Sequence, residues 1–443
     1  MKISFHGGAR EVTGACYLLE TAGVKILIDC GLFQGAHEVD GANATPFSFP
    51  VADIDALAVT HAHIDHIGRI PKLVHEGFRG VIYSTAATRD LALPLLEDAL
   101  RLAEREGQSL YTKKDVEKAF ALWREMPYGA AQTIGDIPVT LRNAGHILGS
   151  AMVEIRAEEK KILFTGDLGN HPSVLLPPPD AVRDAAYLVI ESAYGDRAHE
   201  APEDRVLLLE RVVEDAVARG GTLVIPAFAT ERTQDILYLL NGMLLFRRIP
   251  DVPVFVDSPL AIRITDVYER YPQEYRPEIR ELFGKHPKLF RFKKLRFTAD
   301  AEESKAIAGV QGPKIVIAGS GMMQGGRVLH HLRHYLPDRR SILLIVGFQA
   351  AGSLGRRLIE GADRVNIFGE DVAVRAEVRK INGFSAHADA PQLLAFVEQN
   401  RDTLKRVFVV QGEDAPAEAL AQAVRDRLGI PAVAPRLRDT VEI

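Results

Sequence analysis

The sequence predicts an α/β protein in which one α/β domain interrupts another. Three observations carry this. Short, glycine-punctuated apolar runs fill the first third of the chain; from about Tyr194 apolar runs alternate with amphipathic helical stretches; and near Val372 the strand-dense style returns. The 443 residues suit two to three domains at about 150 residues each. The expected division is 1–195 for the first part of the outer domain, 196–371 for the inserted domain and 372–443 for the outer domain's C-terminal part.

Cys16–Glu20, Val24–Cys30, Ala56–Thr60 and Val81–Ser84 read as strands. Helices are expected at Pro71–Glu76 and Arg89–Glu106, the second stopped by Gly107. Val139–Arg142, Ala151–Arg156, Lys161–Thr165 and Leu188–Glu191 continue the strands. Beyond Tyr194 come the helix Pro202–Arg219, the buried strand Thr222–Ala227 and the helix Arg232–Asn241. Three further strand–helix pairs follow: Val252–Asp257 with Ala261–Tyr271, Lys314–Ala318 with Arg327–Tyr335, and Ser341–Gly347 with Leu354–Glu360. Val- and Ile-rich strands alternating with helices imply a parallel layer. The strand Arg406–Gln411 and the helix Pro416–Leu428 close the pattern.

Apolar residues at 47% and charged residues at 26% exclude a disordered or collagen-like chain. Lys plus Arg at 54 against Asp plus Glu at 59 leave a net charge of −5. Contact with nucleic acid must therefore come from a local patch or a metal centre. No run approaches the roughly 18 uninterrupted apolar residues of a spanning helix, and no basic region precedes an apolar run at the start. Neither a membrane nor a secreted protein is expected. Cys16 and Cys30 are too few for a disulfide framework and point to core burial in a reducing, cytoplasmic setting.

The strongest local signal is Thr60-His61-Ala62-His63-Ile64-Asp65-His66, directly after an apolar strand. Four ligand-type side chains in six positions are costly to bury unless something binds them. Residues two apart in extended chain point the same way, so His61 and His63 can grip one ion. Asp65 and His66 begin the following helix and face elsewhere, which suits a second ion. Downstream, Gly145-His146 and Gly166-Asp167 each place one ligand-type residue just past a strand. His146 would complete the first site and Asp167 could bridge two cations. Imidazole-rich sites sharing a carboxylate suit zinc, with a water between the ions deprotonated near neutral pH. Asp29, a lone acid after a strand, reads as a partner that orients the site. His37, His75, His171, His199 and His286 read as surface residues, and His6 is ambiguous. His330, His331 and His334 share one helix and read as exposed or locally packed.

His-x-His-x-Asp-His followed by His146 and Asp167 in that order resembles the metallo-β-lactamase superfamily. Ile190–Asp196, Phe228–Gln234, Val256–Pro259, Gly319–Met322 and Gly383–His387 narrow the resemblance to the β-CASP nucleases. It is closest to compact bacterial ribonucleases that resemble the mRNA 3′-end cleavage endonuclease. The resemblance implies a metallo-β-lactamase αββα sandwich with an inserted Rossmann-like parallel-sheet β-CASP domain. It implies two zinc sites, the first held by His61, His63 and His146, the second by Asp65 and His66, with Asp167 bridging. Asp65, Glu191 and His387 would be catalytic, His387 as general acid on the leaving oxygen with Glu191 holding its ring. Where the family has Val-His-Gly-Glu this chain reads Val410-Gln411-Gly412-Glu413. Gln411 offers a neutral amide in place of a zinc-ligating imidazole, which weakens the second site.

The glycine-rich turn Ala318–Arg327 lets backbone N–H groups approach an anion, which makes Ser320, Gly321 and Arg327 candidate phosphate contacts. Ser385 and Arg232 are further candidates. Arg291-Phe292-Lys293-Lys294-Leu295-Arg296 could guide a single strand or could be a solvated face. The reading is a zinc-dependent ribonuclease acting on single-stranded RNA, with the active site at the domain junction and a homodimer left open. An inactive RNA-binding subunit and a small-substrate hydrolase (thioesterase or lactonase) are the alternatives.

Overall fold

The computed structural model describes residues 1–35, 38–199, 202–347, 349 and 352–443, so the expectation for His37 lies outside the described residues. The chain forms two compact units, Met1–Ala198 with Ala386–Ile443, and His199–Ser385.

In the first unit the alternating apolar runs become two seven-stranded sheets. One runs Thr440–Glu442, Lys2–Gly7, Cys16–Thr21, Val24–Ile28, Ala56–Ala58, Val81–Ser84, Trp123–Glu125 across its width. The other runs Ala432–Val433, Arg406–Val410, Tyr187–Glu191, Lys160–Phe164, Ala151–Ala157, Ile137–Asn143, Ala131–Ile134. Their inner faces share one apolar core. Ile3, Phe5, Tyr17, Leu19, Ile26 and Ile28 from the first sheet meet Val139, Leu141, Val153, Ile155, Phe164 and Phe408 from the second. The outer face of the second sheet is covered by the helices Ala390–Glu398 and Asp414–Ala423, through Leu393, Phe396, Val397, Ala417 and Leu420. The helices Ala86–Glu106 and Lys113–Leu122 contact the far edge of the first sheet. These are the four layers of an αββα sandwich.

Ala86–Glu106 starts earlier than its apolar spacing suggests because Thr85 accepts a hydrogen bond from the Thr88 amide at 3.1 Å. It ends at Gly107, which takes the left-handed conformation (φ 71°). The helix Lys113–Leu122 falls outside the sequence reading, although Thr112 and Asp115 form a capping box at its start.

The second unit carries a six-stranded parallel sheet in the order Leu295–Phe297, Val254–Asp257, Lys314–Ala318, Thr222–Pro226, Ile342–Ile345, Glu377–Lys380. Its boundary falls at Ser385 rather than at 371 because Glu377–Lys380 pairs in parallel with Ile342–Ile345. At the first boundary the unit begins at His199. Cys16 and Cys30 are buried and free. Among the described residues no helix is long and apolar enough to cross a membrane.

Candidate metal centre

Every ligand candidate lies in the first unit, at the ends of strands where the chain turns. Thr60–His63 follows the strand Ala56–Ala58, and His63 caps the short helix Ile64–Ile67 that carries Asp65 and His66. Asp167 follows Lys160–Phe164 across Gly166, whose φ of 53° and close packing require glycine. A Cβ there would lie 2.6 Å from the Thr60 side chain.

His61, His63, His146 and Asp167 converge, each offering one ligand atom within 4.8 Å of the others. His61 Nε2 lies 3.1 Å from His63 Nδ1, and His146 Nε2 lies 3.2 Å from the same atom. Asp167 Oδ2 is 3.4 Å from His61 Nε2 and 3.6 Å from His146 Nε2. Zinc–nitrogen bonds of about 2.0–2.1 Å give a tetrahedron edges of roughly 3.3 Å, so these separations fit four ligands around one ion.

The electrostatics agree with the geometry. Burial holds His61 and His146 well below the usual histidine range and His63 down to about 3, so all three rings are neutral with lone pairs free to bind. Burial opposes the charge on Asp167, yet His66 and His61 keep its carboxyl well below the usual value. Asp167 Oδ1 is buried without a hydrogen-bond partner, a cost that a cation removes. The residues present fit a divalent metal ion.

Asp29 is hydrogen-bonded to two residues of the histidine motif. One carboxylate oxygen accepts from the Thr60 amide at 2.7 Å; the other accepts from the Thr60 hydroxyl and from His66 Nδ1, each at 2.7 Å. Thr60, which the sequence reading used only as a strand end, also lies 3.1 Å from His61 Nδ1. His146 Nδ1 points at the Ala386 carbonyl at 3.3 Å, which turns Nε2 toward the cluster.

The donors expected for a second ion are arranged differently. His66 Nε2 lies 3.4 Å from Asp167 Oδ1 and 3.9 Å from Asp65 Oδ2. Burial raises the Asp65 carboxyl to about 6. Burial opposes charge on His66, while Asp167 and Asp29 favour it and carry its pKa well above the usual value. Gln411 brings its amide nitrogen, not its oxygen, to within 3.1 Å of His66 Nε2. That contact is a hydrogen bond only when Nε2 carries a lone pair; on the protonated ring, which Asp167 and Asp29 favour, two donors face each other. Tyr17, whose hydroxyl donates to Gln411 Oε1 at 3.1 Å, sits in a strand without any motif that would single it out.

Beside Asp167, His387 Nδ1 lies 3.3 Å from Glu191 Oε1 and 3.8 Å from Asp167 Oδ2. Glu191 is buried and accepts from the amides of Leu168 (2.7 Å) and Ala193 (3.3 Å). Burial would lower the His387 pKa, but Glu191 and Asp167 lift it to about 9. Burial raises Glu191 itself.

The candidate phosphate contacts lie in the second unit. Ser320, Gly321 and Arg232 lie beyond the C-terminal ends of parallel strands, where open α/β sheets bind ligands. The structure gives the two arginines other partners. Arg327 donates to Asp257 (2.7 Å) and to the carbonyls of Thr298 and Ala299. Arg232 is buried, 3.3 Å from Asp235 and stacked over Phe384. Ser385 is half-buried. His331 is buried against Asp257 at 2.7 Å rather than exposed. Two members of the basic run are ion-paired: Arg291 bonds Glu269 and Asp266, and Lys294 bonds Asp251.

A sandwich with this cluster at its strand ends, interrupted by a parallel-sheet unit, defines a metallohydrolase. The metallo-β-lactamase superfamily model matches residues 9–225, the Beta-Casp domain model 233–358, and the Zn-dependent metallo-hydrolase RNA specificity domain model 371–435. The chain is 40% identical over 426 residues to Ribonuclease TTHA0252 of Thermus thermophilus, covering 95% of each. It is 32% identical to the transcription termination factor FttA of Methanocaldococcus jannaschii, over 96% of this chain and 69% of that one. Against FttA of Methanosarcina mazei the identity is 33%, over 97% and 70%. A protein of unknown function from Enterococcus faecalis V583 shares the fold, with a TM-score of 0.60 at 14% identity over 100% of this chain and 99% of that one. The chain belongs to the β-CASP family of the metallo-β-lactamase superfamily.

Proposed function

We propose that the chain is a zinc-dependent ribonuclease hydrolysing phosphodiester bonds in single-stranded RNA. The observation that carries the reading is the convergence of three neutral imidazoles and one anionic carboxylate on a single point, beside the Glu191–His387 pair. The matched RNA specificity domain and the ribonuclease of Thermus thermophilus support RNA as the substrate. Three imidazoles with one carboxylate suit zinc among the divalent ions. When bound, zinc supplies Lewis acidity, lowering the pKa of a water molecule and drawing charge from the phosphate oxygens.

The chain's own residues supply the proton. Glu191 sits at Nδ1, so Nε2 is the proposed donor atom, and the raised pKa keeps the ring protonated near neutral pH. It gives that proton to the departing 3′ oxygen. Glu191, held by two backbone amides, fixes the ring's direction. Ser385, Ser320 and Gly321 contact phosphates along the strand, while Arg232 and Arg327 position the turns that present them. Two free buried cysteines agree with a cytoplasmic setting.

The test is cleavage of an unstructured RNA by the purified chain, with and without a chelator. Cleavage that stops on chelation and returns with zinc supports the reading; no cleavage under any metal condition overturns it.

A further inference from the structure

The antiparallel hairpin of Arg364–Ile367 and Glu370–Ala373 lies in the second unit, and Ile367 pairs with Glu370 across a two-residue loop, Phe368–Gly369. Both loop residues take the left-handed conformation, Phe368 at φ 55° and Gly369 at φ 81°, as a tight type I′ turn demands. Gly369 suits that turn, and Asn366 Oδ1 supports it by accepting from the Gly369 amide at 3.1 Å. Phe368 does not suit it. The first loop position ordinarily carries Asn, Asp or Gly, whereas a bulky side chain there brings its Cβ against the following carbonyl. Among the described residues it is the only aromatic side chain with a positive φ.

Burial does not explain the ring either, because Phe368 is 51% exposed. What it meets is the exposed face of the helix Val328–Tyr335, which follows the glycine-rich turn carrying Ser320 and Gly321. The His330 ring lies 4.6 Å from the Phe368 ring at a tilt of 36°, and the Arg333 guanidinium is 5.8 Å from it. His330 and Arg333 are neighbours on one face of the helix, so both reach the same ring. Glu370 pairs with Arg333 at 3.1 Å and fixes the guanidinium beside it. Among the described residues no other large apolar side chain of this hairpin or helix is exposed. The site therefore offers one flat ring among polar groups, not the apolar patch that a protein partner covers.

We propose that Phe368, backed by His330 and flanked by Arg333, is a stacking platform for one unpaired base of single-stranded RNA. An aromatic plane beside a cation is what unpaired bases stack on. A residue that breaks a turn rule without gain to turn or core is kept for another purpose. The RNA specificity domain model begins at 371, inside the hairpin's second strand. The choice of RNA as the occupant rests on the ribonuclease reading.

The experiment separates the ring from the turn. Binding of a fluorescein-labelled, unstructured RNA to the zinc-loaded full chain is read by anisotropy at mixing. An abasic ribose-phosphate chain of the same length is read beside it, and cleavage is followed afterwards in the same samples. Phe368→Asn installs a residue that the turn prefers and removes the ring. Its melting temperature should equal or exceed that of the natural protein, while its RNA affinity falls about 5–100-fold, the effect of one base stack. Affinity for the abasic chain should not change, and Phe368→Trp should keep the affinity for RNA. A less stable Phe368→Asn overturns the inference, because the ring then serves the hairpin. An equal loss on RNA and on the abasic chain overturns it as well, as does a loss in Phe368→Trp as large as in Phe368→Asn. Unchanged RNA affinity in Phe368→Asn, with cleavage intact, sinks the platform and leaves the ribonuclease reading standing. A base-dependent loss in Phe368→Asn without cleavage by the natural protein does the reverse, and no RNA binding by the natural protein sinks both.

Discussion

The Asp29 carboxylate and His66 Nδ1 lie 2.7 Å apart with both side chains buried, and the same carboxylate holds the Thr60 amide and hydroxyl. One acid thus sets the direction of His66 and, through Thr60, of His61. Asp29→Asn keeps the size but puts an amide nitrogen against groups that donate. We expect zinc affinity to fall about 10–100-fold, measured by competition with a chromogenic chelator, with the circular dichroism spectrum preserved. Unchanged affinity would show that Thr60 and His66 hold their places without it.

His387→Ala removes the proposed proton donor while leaving His61, His63, His146 and Asp167 in place. The rate of RNA cleavage should fall about 10²–10⁴-fold, with zinc content and RNA affinity little changed. Glu191→Gln should fall less, since it disturbs only the ring's direction. Equal loss of RNA binding would assign His387 a structural part.

Gly166→Ala places a Cβ against Thr60 at a residue with φ of 53°. Strain of about 1–3 kcal/mol is expected, together with displacement of Asp167. Denaturant unfolding and zinc titration on the same samples should both register the change; a variant identical to the natural protein in both would contradict the packing described.

In the second unit Asp257 is fully buried, bonded to His331, Arg327, Thr298 and Ser304. Burial would raise its pKa, but His331, Ser304, Thr298 and Arg327 hold it below the usual value. A depressed carboxylate stabilises the fold above its unfolded pKa of about 3.9 and loses that contribution as pH falls through the folded value. Asp257→Asn should cost about 3 kcal/mol at neutral pH, with the difference from the natural protein shrinking in acid. Unfolding curves at pH 7 and below about pH 3.9 test this.

Much of the fold was legible because periodicity and punctuation agree. The Val- and Ile-rich strands with their intervening helices became the parallel sheet, and the glycine-bounded runs became the sandwich. The helix Lys113–Leu122 went unread although Thr112 and Asp115 mark its start. The compact unit runs on to Ser385, past the expected 371 at which the RNA specificity domain model starts, because Glu377–Lys380 pairs with a distant strand, and register is a tertiary fact. That His61, His63, His146 and Asp167 lie together is readable because histidines are costly to bury without a purpose. What could not be read was which end of an amide faces a ring. Gln411 was recognisable as a neutral residue, but its direction is set by Tyr17 and Val12, far away in sequence. For the same reason Arg327 read as a phosphate contact, yet its donors meet Asp257 and two carbonyls.

The central claim is that ribonuclease activity depends on a divalent ion held by His61, His63, His146 and Asp167. The most direct measurement is single-turnover cleavage of an unstructured RNA by protein stripped of metal, before and after zinc is returned, alongside the His146→Ala variant. No cleavage by stripped protein, recovery with zinc and no recovery in the variant is the predicted result. Full cleavage by ion-free protein would contradict it.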